Sequence, residues 1–265
     1  MYTPVQLAFK YLSYYFSASN GKGHGTHSPF VFDFITKVLN DKERYPAYKV
    51  VEQLREKLLN DHEELMIMDF GAGSGKDKSN KRKIASIAKN AAKPKKYGQL
   101  LYRMVQYYKP ATILELGTSL GISTAYLSMA RPGSHVISME GSPAIAQYAN
   151  KNFKNLGLQN IKIVEGNFDT TLEDTLADLS SIDFVFLDGN HRLQPTLHYF
   201  NKLLSKINND TIIVLDDIHW SDEMEQAWKQ CRKHSGVTLS IDLFFIGILI
   251  FKKEIKEKQH FCMRF

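Results

Sequence analysis

The sequence predicts an α/β protein built around a Rossmann-like, doubly wound and mainly parallel sheet. Five short apolar runs between residues 112 and 217 alternate with helical stretches, which is typical of right-handed βαβ units. Two further apolar runs, 237–243 and 244–251, lie too close together for a crossover helix, so we expect them to pair antiparallel. The prediction is therefore a seven-stranded sheet with a C-terminal antiparallel hairpin.

The predicted elements follow one another with short connections. A helix at 99–108, "QLLYRMVQYY", has its apolar residues on one face and precedes the sheet. The parallel strands are expected at 112–116, 135–140, 161–166, 182–189 and 211–217. Helices are expected at 122–130, 142–156, 170–179, 194–206 and 222–235. Ser221 can cap the last of these helices.

The chain before this pattern is predicted to be a helical extension, residues 1–95, in front of the α/β domain at 96–265. Ser28 followed by Pro29 is a favourable helix start, because Ser caps and Pro fits the first turn. A second helix is expected from 46 to about 60. The apolar character of this extension suggests a lid or the contact surface of a homodimer.

Composition favours a cytoplasmic protein. No apolar run approaches the roughly 20 residues that a membrane helix needs, and the first residues do not resemble a secretion signal. Cys231 and Cys262 match no metal-ligand spacing, so we expect ordinary thiols in a reducing compartment.

The positive charge of the chain is concentrated in one segment. The total is +6, whereas residues 76–96 carry nine basic residues against one acidic residue, Asp77, which is a local net charge of +8. This segment is interpreted as a solvated loop. Alternatively, it attracts an acidic substrate or nucleic acid.

Two glycine-rich loops compete for the role of a cofactor loop. The second, in "TILELGTSLGIST" at 112–124, leaves a predicted strand and enters a predicted helix, and the next strand ends in Glu140. An acid about 20 residues after the loop is where ribose hydroxyls are bound in such folds. The first loop, in "MIMDFGAGSGK" at 66–76, is followed by a polar, lysine-rich stretch. It is interpreted as a structural turn or lid, or alternatively as a second anion site.

The second loop has a motif that resembles the cofactor loop of a known enzyme family. Its glycines are four residues apart, which argues against the close glycine pair of a dinucleotide site. "ELGTSLGIS", followed by a strand that ends in Glu140, resembles the class I S-adenosylmethionine-dependent methyltransferases. Within these it is similar to the catechol- and caffeoyl-CoA-type O-methyltransferases and their bacterial relatives. The resemblance covers roughly residues 97–251, including the closing hairpin.

The resemblance implies the position of S-adenosylmethionine. Glu115 and Gly117 would lie beside its amino acid part, and Ser123 would bind its carboxylate at a helix N-terminus. Glu140 would accept both ribose hydroxyls. The remaining residues implied to border the cofactor, towards its adenine or its methyl group, are Thr118, Ser119, Gly121, Gly141, Gly166, Asn167 and Asp188.

The resemblance also implies an acceptor site at the ends of strands four and five. In the family a divalent ion is held there, and the matching positions are Asp188, Asp216 and Asp217, whose oxygens suit Mg²⁺ or Ca²⁺. The chain departs from the family in two places, because Asp217 replaces an amide and His191 replaces a lysine. Metal-dependent transfer therefore remains one reading, and metal-free proton transfer by His191 and Asp217 is the other. His219, in "DDIHW", could lie beside His191.

These features predict an S-adenosylmethionine-dependent methyltransferase that acts on oxygen of a small molecule, with Asp188, His191 and Asp217 as catalytic residues. The first alternative is a nucleic-acid methyltransferase that uses the basic segment 76–96. The second is a non-catalytic cofactor-binding module. A membrane partner is not expected, and a homodimer is a hypothesis.

Overall fold

The computed structural model describes residues 1–22, 28–67, 81–91 and 93–265. The first glycine-rich loop, 71–75, and the beginning of the basic segment lie outside the described residues. The interpretation of that glycine-rich loop therefore stays a prediction. The described part of the basic segment is not the predicted solvated loop, because 81–83 form a strand and 84–91 form a helix whose apolar residues Ile84 and Ile87 are buried.

The helices agree closely with the predicted pattern. They are α1 (Pro4–Ser17), α2 (Pro29–Asp33), α3 (Pro46–Leu59), α4 (Ile84–Ala91), α5 (Lys95–Tyr108), α6 (Ile122–Ala130), α7 (Pro143–Asn155), α8 (Phe168–Ala177), α9 (Leu193–Leu203) and α10 (Asp222–Lys233). Helix α2 continues as a π-helical segment, Phe34–Leu39. The hydroxyl of Ser221 accepts from the amide of Met224, which confirms the predicted cap of α10.

The strands include all seven that the sequence predicted. They are β1 (Glu64–Met66), β2 (Lys81–Lys83), β3 (Thr112–Leu116), β4 (His135–Glu140), β5 (Ile161–Glu165), β6 (Ile182–Leu187), β7 (Ile207–Asp216), β8 (Leu239–Asp242), β9 (Ile246–Ile250) and β10 (Gln259–Cys262). Strands β1 and β2 pair antiparallel with each other and were not predicted. The mainly parallel α/β fold with antiparallel C-terminal strands is thus confirmed.

The chain divides into two compact units. The first comprises Met1–Asn40 with Leu179–Phe265, and the second comprises Asp41–Asp178. This division follows the packing of the chain and does not test the predicted boundary between residues 95 and 96, which stays a prediction. Among the described residues, no helix combines the length and the apolar character required to cross a bilayer.

The larger sheet has eight strands among the described residues, one more than predicted. In the second unit its strands run in the order β3-β4-β5 and are all parallel. In the first unit the order is β10-β8-β9-β7-β6, where β9 is antiparallel to both neighbours. The additional strand is β10, which is parallel to β8.

The core of each unit positions the ends of these strands. In the second unit, β3 and β4 are almost wholly buried, as expected for parallel strands covered on both faces. Helix α6 is buried along most of its length, so its first turn is fixed at the end of β3. In the first unit, β7 is buried from Thr211 to Asp216, which fixes its carboxyl end as well.

Candidate functional site

The loop between β3 and α6 has a backbone that only a few residue types adopt. Gly117, Ser119 and Gly121 have φ values of 109°, 47° and 85°. A Cβ atom on Gly121 would lie 2.4 Å from Cε1 of Phe153, so both the dihedral angle and the packing require glycine there. The loop therefore makes a tight turn from the end of β3 into the start of α6.

The amides of this loop have different partners. The N–H groups of Gly117 and Thr118 both donate to the carbonyl of Met139, each at 3.0 Å, which ties the loop to β4. Gly121 is the N-cap of α6 and supplies no side-chain cap. The first-turn amides of a helix have no intrahelical acceptor, so this helix start suits a negatively charged group. Ser123 lies in that turn and is half-buried.

Glu140 lies at the carboxyl end of β4 and is held by two backbone amides. The N–H of Ser119 donates to its Oε2 at 2.9 Å, and the N–H of Ser142 donates to its Oε1 at 3.0 Å. The side chain is half-buried. The glycine loop therefore orients the carboxylate that the sequence analysis identified.

Glu115 lies deeper than its neighbours in the loop. It is fully buried, and its Oε2 accepts from the hydroxyl of Ser138 at 2.6 Å and from the hydroxyl of Thr124. The hydroxyls of Thr118 and Ser138 lie 2.6 Å apart and extend this network. Sequence reasoning named Thr118 but missed Ser138 and Thr124, although their alternation with buried apolar positions is visible in β4 and α6.

The turn after β5 lies beside Glu140. The N–H of Gly166 donates to the carbonyl of Glu140 at 2.9 Å, and its φ of 130° is a conformation that favours glycine. The side chain of Asn167 caps α8 by accepting from the amide of Asp169 at 3.0 Å. Gly141 follows Glu140 directly and is half-buried. The second unit thus holds all the predicted cofactor residues except Asp188, and these three strand ends are adjacent.

The first unit brings together Asp188, His191 and Asp216. One donor atom from each of these side chains lies within 4.8 Å of the others. His191 Nε2 is 3.4 Å from Asp188 Oδ1, and Asp216 is fully buried at the end of β7. This group differs from the predicted metal set, because it contains His191 and does not include Asp217 among the described residues.

The backbone changes direction between Asp216 and Asp217. Asp216 is the last residue of β7, whereas Asp217 has left the strand and has a φ of 53°. The sequence places both acids at the end of this strand but does not show how the backbone turns between them, and the role of Asp217 at a metal ion stays a prediction.

The same region has strained backbone. Asn190 and His191 have φ values of 67° and 36°, in addition to that of Asp217. Side chains other than glycine rarely adopt such values, and they concentrate where the position of a side chain matters. The ring of Trp220 lies 5.8 Å from that of His191 in an edge-to-face arrangement. The side-chain Nδ2 of Asn190 donates to the Tyr199 hydroxyl at 3.2 Å.

His219 makes contacts of its own within the first unit. Its Nε2 lies 2.8 Å from Asp242 Oδ2 and its Nδ1 lies 3.1 Å from Glu225 Oε1. Burial opposes the charged form of His219, but these two carboxylates outweigh it and raise its pKa. Since both ring nitrogens are engaged by carboxylates, we expect His219 to stabilise this unit and not to act as a second base beside His191.

Comparison with known protein families places the candidate residues in a methyltransferase segment. A family model described as "Methyltransferase domain" matches residues 114–218. That range contains both glycine-loop glycines, Glu140, Asp188, His191 and Asp217. The match therefore covers the candidate cofactor residues and the candidate acceptor residues together.

Curated relatives are similar over part of their length. A catechol O-methyltransferase from Niastella koreensis is 30% identical over 46% of this chain and 55% of the relative. A protein-L-isoaspartate O-methyltransferase from Thermosipho melanesiensis is 26% identical over 51% of this chain and 62% of the relative. The chain thus spans little more than half the length of these two relatives.

Solved structures share the fold over a longer range. The S-adenosylhomocysteine-bound methyltransferase PaMTH1 of Podospora anserina has a TM-score of 0.59 and 13% identity, with 96% of this chain and 98% of that chain covered. An O-methyltransferase from Bacillus cereus in complex with S-adenosylhomocysteine has a TM-score of 0.54 and 19% identity, with 82% and 96% covered. At these identities the likeness shows the fold. Residues 114–218 therefore match a methyltransferase domain, in agreement with the class I, S-adenosylmethionine-dependent type that the sequence resembles.

Proposed function

We propose that this chain is an S-adenosylmethionine-dependent methyltransferase that methylates an oxygen atom of a small molecule. One observation carries the proposal: the Glu140 carboxylate is held by the amides of Ser119 and Ser142, directly beside the glycine loop that opens α6. The names of the similar O-methyltransferases support the choice of oxygen as acceptor.

The described residues of the second unit fit S-adenosylmethionine. The uncapped start of α6 suits the carboxylate of the amino acid part, because a helix N-terminus carries partial positive charge. The Glu140 carboxylate suits two ribose hydroxyls, since a carboxylate can accept several hydrogen bonds. When bound, the cofactor supplies an electrophilic methyl group on a sulfonium.

The acceptor residues in the first unit would remove a proton. A hydroxyl that gains a methyl group must lose its hydrogen, either to a base or after a cation lowers its pKa. In the first route His191 takes the proton on one ring nitrogen, and Asp188, whose Oδ1 lies 3.4 Å from the other nitrogen, Nε2, stabilises the imidazolium that forms. In the second route Asp188, His191 and Asp216 would hold a divalent cation through two carboxylate oxygens and one imidazole nitrogen.

A small hollow lies beside His191. Its lining is mainly apolar and comprises Leu187, Gly189, His191, Thr196, Tyr199, Leu215 and Met224. The hollow has room for about one water molecule, so the body of an acceptor would lie outside it, with its hydroxyl directed toward the imidazole.

The test uses the full chain with S-adenosylmethionine labelled in its methyl group. We expect label to transfer to phenols or catechols, and His191→Asn to lower the rate by about 100-fold or more, the usual worth of a positioned base. The matched control is His198→Asn, because His198 is an exposed histidine on α9. Transfer to RNA or DNA that falls steeply with salt would replace the small-molecule acceptor by nucleic acid. Cofactor binding without transfer to any acceptor would favour a non-catalytic module.

A chelator separates the two proton-removal routes. If the chelator abolishes transfer and Mg²⁺ restores it, the cation route operates, and Asp216→Asn should lose the restoration. If transfer is unaffected, His191 acts as the base.

As part of the same proposal we place the protein in the cytoplasm, because the free thiols Cys231 and Cys262 fit a reducing compartment.

A further inference from the structure

Helix α1 has two apolar faces, and only one of them packs on the first unit. On the inner face, Tyr14 is buried and Tyr11 packs edge-to-face on Phe244 with ring centroids 5.0 Å apart. On the outer face, Val5, Phe9, Leu12 and Phe16 are 64%, 69%, 49% and 78% exposed. The exposed side chains are therefore as large and apolar as those in the core.

The outer residues form a continuous stripe. They are spaced four, three and four residues apart, which places them on one side of the helix. This 4-3-4 spacing is the pattern of helices that pack lengthwise against another helix. Four large apolar side chains in a row on a solvent-facing helix are unusual for a monomer, since contiguous apolar patches mark interaction sites.

Charge and area indicate what covers the stripe. The flanking positions Gln6, Ala8 and Ser13 are uncharged, so two copies of this face would bring no like charges together. An aromatic side chain presents about 150–250 Å², and the exposed parts of the stripe and its neighbours together offer on the order of 600 Å². That approaches the roughly 800 Å² per partner of a standard interface.

A membrane surface fits the stripe less well. Helices that lie on a bilayer carry lysine and arginine on their polar face. Helix α1 contains one basic residue, Lys10, and its Nζ is held by Glu225 Oε1 at 2.9 Å. The helix therefore presents no cationic face to anionic lipid.

We propose that the outer face of α1, formed by Val5, Phe9, Leu12 and Phe16, docks against the same face of a second copy of this chain. Each copy would cover the stripe of the other, as in a two-fold symmetric dimer. The proposal concerns assembly and does not depend on the methyltransferase function.

The test measures the mass of the full chain by analytical ultracentrifugation over about a hundred-fold range of concentration. We expect wild type near twice the chain mass of 30.3 kDa, and Phe9→Glu with Phe16→Glu near 30.3 kDa. The dimer dissociation constant should rise at least 100-fold. The matched control is Leu59→Glu with Tyr107→Glu, because these exposed apolar residues lie outside α1. It should remain dimeric.

A second measurement does not depend on whether the double glutamate variant folds. Spin labels at Ser13→Cys in a Cys262→Ser background should lie within about 30 Å of each other across the dimer, because α1 has only 14 residues and is ~21 Å long. If the wild-type chain is a monomer, the proposal is wrong. Co-sedimentation of that monomer with phosphatidylglycerol vesicles would then assign the stripe to lipid. A dimer that survives both glutamates, or labels farther apart, would place the interface elsewhere.

Discussion

Gly121 shows how one residue shapes the candidate cofactor loop. Replacing it with alanine adds a Cβ 2.4 Å from the Phe153 ring and forces alanine into a φ of 85°. We expect Gly121→Ala to lower the free energy of unfolding by about 2–5 kcal/mol, from backbone strain and overpacking together.

The matched control is Gly157→Ala. Gly157 has a similar φ of 69°, but a Cβ there would meet nothing within 4 Å. Gly157→Ala should lower the free energy of unfolding only by the cost of placing alanine at a positive φ, about 1–2 kcal/mol. Urea unfolding of both variants measures the difference, and equal losses would mean that the contact with Phe153 is unimportant.

Glu115 depends on hydroxyl donors because it is fully buried. Thr124→Val keeps the shape of the side chain but removes the hydroxyl that donates to Glu115 Oε2. We expect a loss of about 1–3 kcal/mol in unfolding free energy, since the buried carboxyl group then loses one of its hydroxyl donors and keeps that of Ser138. In the control Thr196→Val, the lost hydroxyl donates only to Met224 Sδ at 3.6 Å, a weak acceptor. A loss as large in Thr196→Val would contradict this explanation.

At the residue scale, the sequence predicted which residues belong to the candidate site better than it predicted which side chains contact one another. Glu140 could be identified because a strand pattern, a glycine loop and an acid at the right spacing all lie in continuous sequence. The group of Asp188, His191 and Asp216 could not, because it depends on which way each side chain leaves its strand end. His219 was expected to lie beside His191, and the structure adds two carboxylate partners that the sequence did not predict, Asp242 and Glu225.

At the element scale, α1 is anchored to the first unit by a charged network. Lys10 binds Glu225, which also accepts from the Tyr2 hydroxyl at 3.1 Å and lies beside His219. The N–H of Tyr2 donates to the carbonyl of Trp220 at 3.1 Å. The start of α1 is therefore tied to the same loop that carries Asp217 and His219.

This network makes stability depend on pH. The folded-state pKa of His219 is raised, so its charge contributes stability fully below the unfolded value of about 6.5, and the contribution is lost as pH rises through the folded value. Burial opposes the charges of Asp242 and Glu225, but His219 lowers both pKa values, with Lys10 also acting on Glu225. Their contribution is therefore lost in acid.

We expect wild type to exceed His219→Gln in unfolding free energy most strongly near pH 6 and less at pH values above about 8. Urea unfolding across this range measures the difference. His198→Gln serves as control, since His198 is exposed. An advantage that does not change with pH would show that the charge of His219 is not what stabilises the fold.

Elements were predictable where their pattern is long and periodic. The buried strands β3, β4, β6 and β7 are apolar runs with clear ends, so the sequence locates them. Strand β10 was missed because Gln259 and His260 are polar. Its pairing with β8, about 20 residues earlier in the chain, is a tertiary contact that a local pattern does not show. The pair β1 and β2 was missed because "ELM" and "KRK" are three residues each and alternate in exposure.

At the scale of the whole molecule, a bound cofactor should stabilise the folded state. S-adenosylhomocysteine at about 100 times its dissociation constant should add about 2.7 kcal/mol. For a chain of this size that raises the melting temperature by roughly 5–10 °C. NAD at the same concentration should leave it unchanged, because the loop lacks a close glycine pair. Stabilisation by NAD and not by S-adenosylhomocysteine would assign the loop to a dinucleotide.

The proposed function depends on one claim, that Glu140, oriented by the glycine loop, binds the ribose of the cofactor. The decisive measurement is isothermal titration of S-adenosylhomocysteine into wild type, Glu140→Ala and Glu165→Ala, since Glu165 is the register partner of Glu140 on β5. We expect Glu140→Ala to weaken binding by roughly 1.5–3 kcal/mol and Glu165→Ala to bind as wild type. Wild-type affinity in Glu140→Ala, or an equal loss in Glu165→Ala, would contradict the claim.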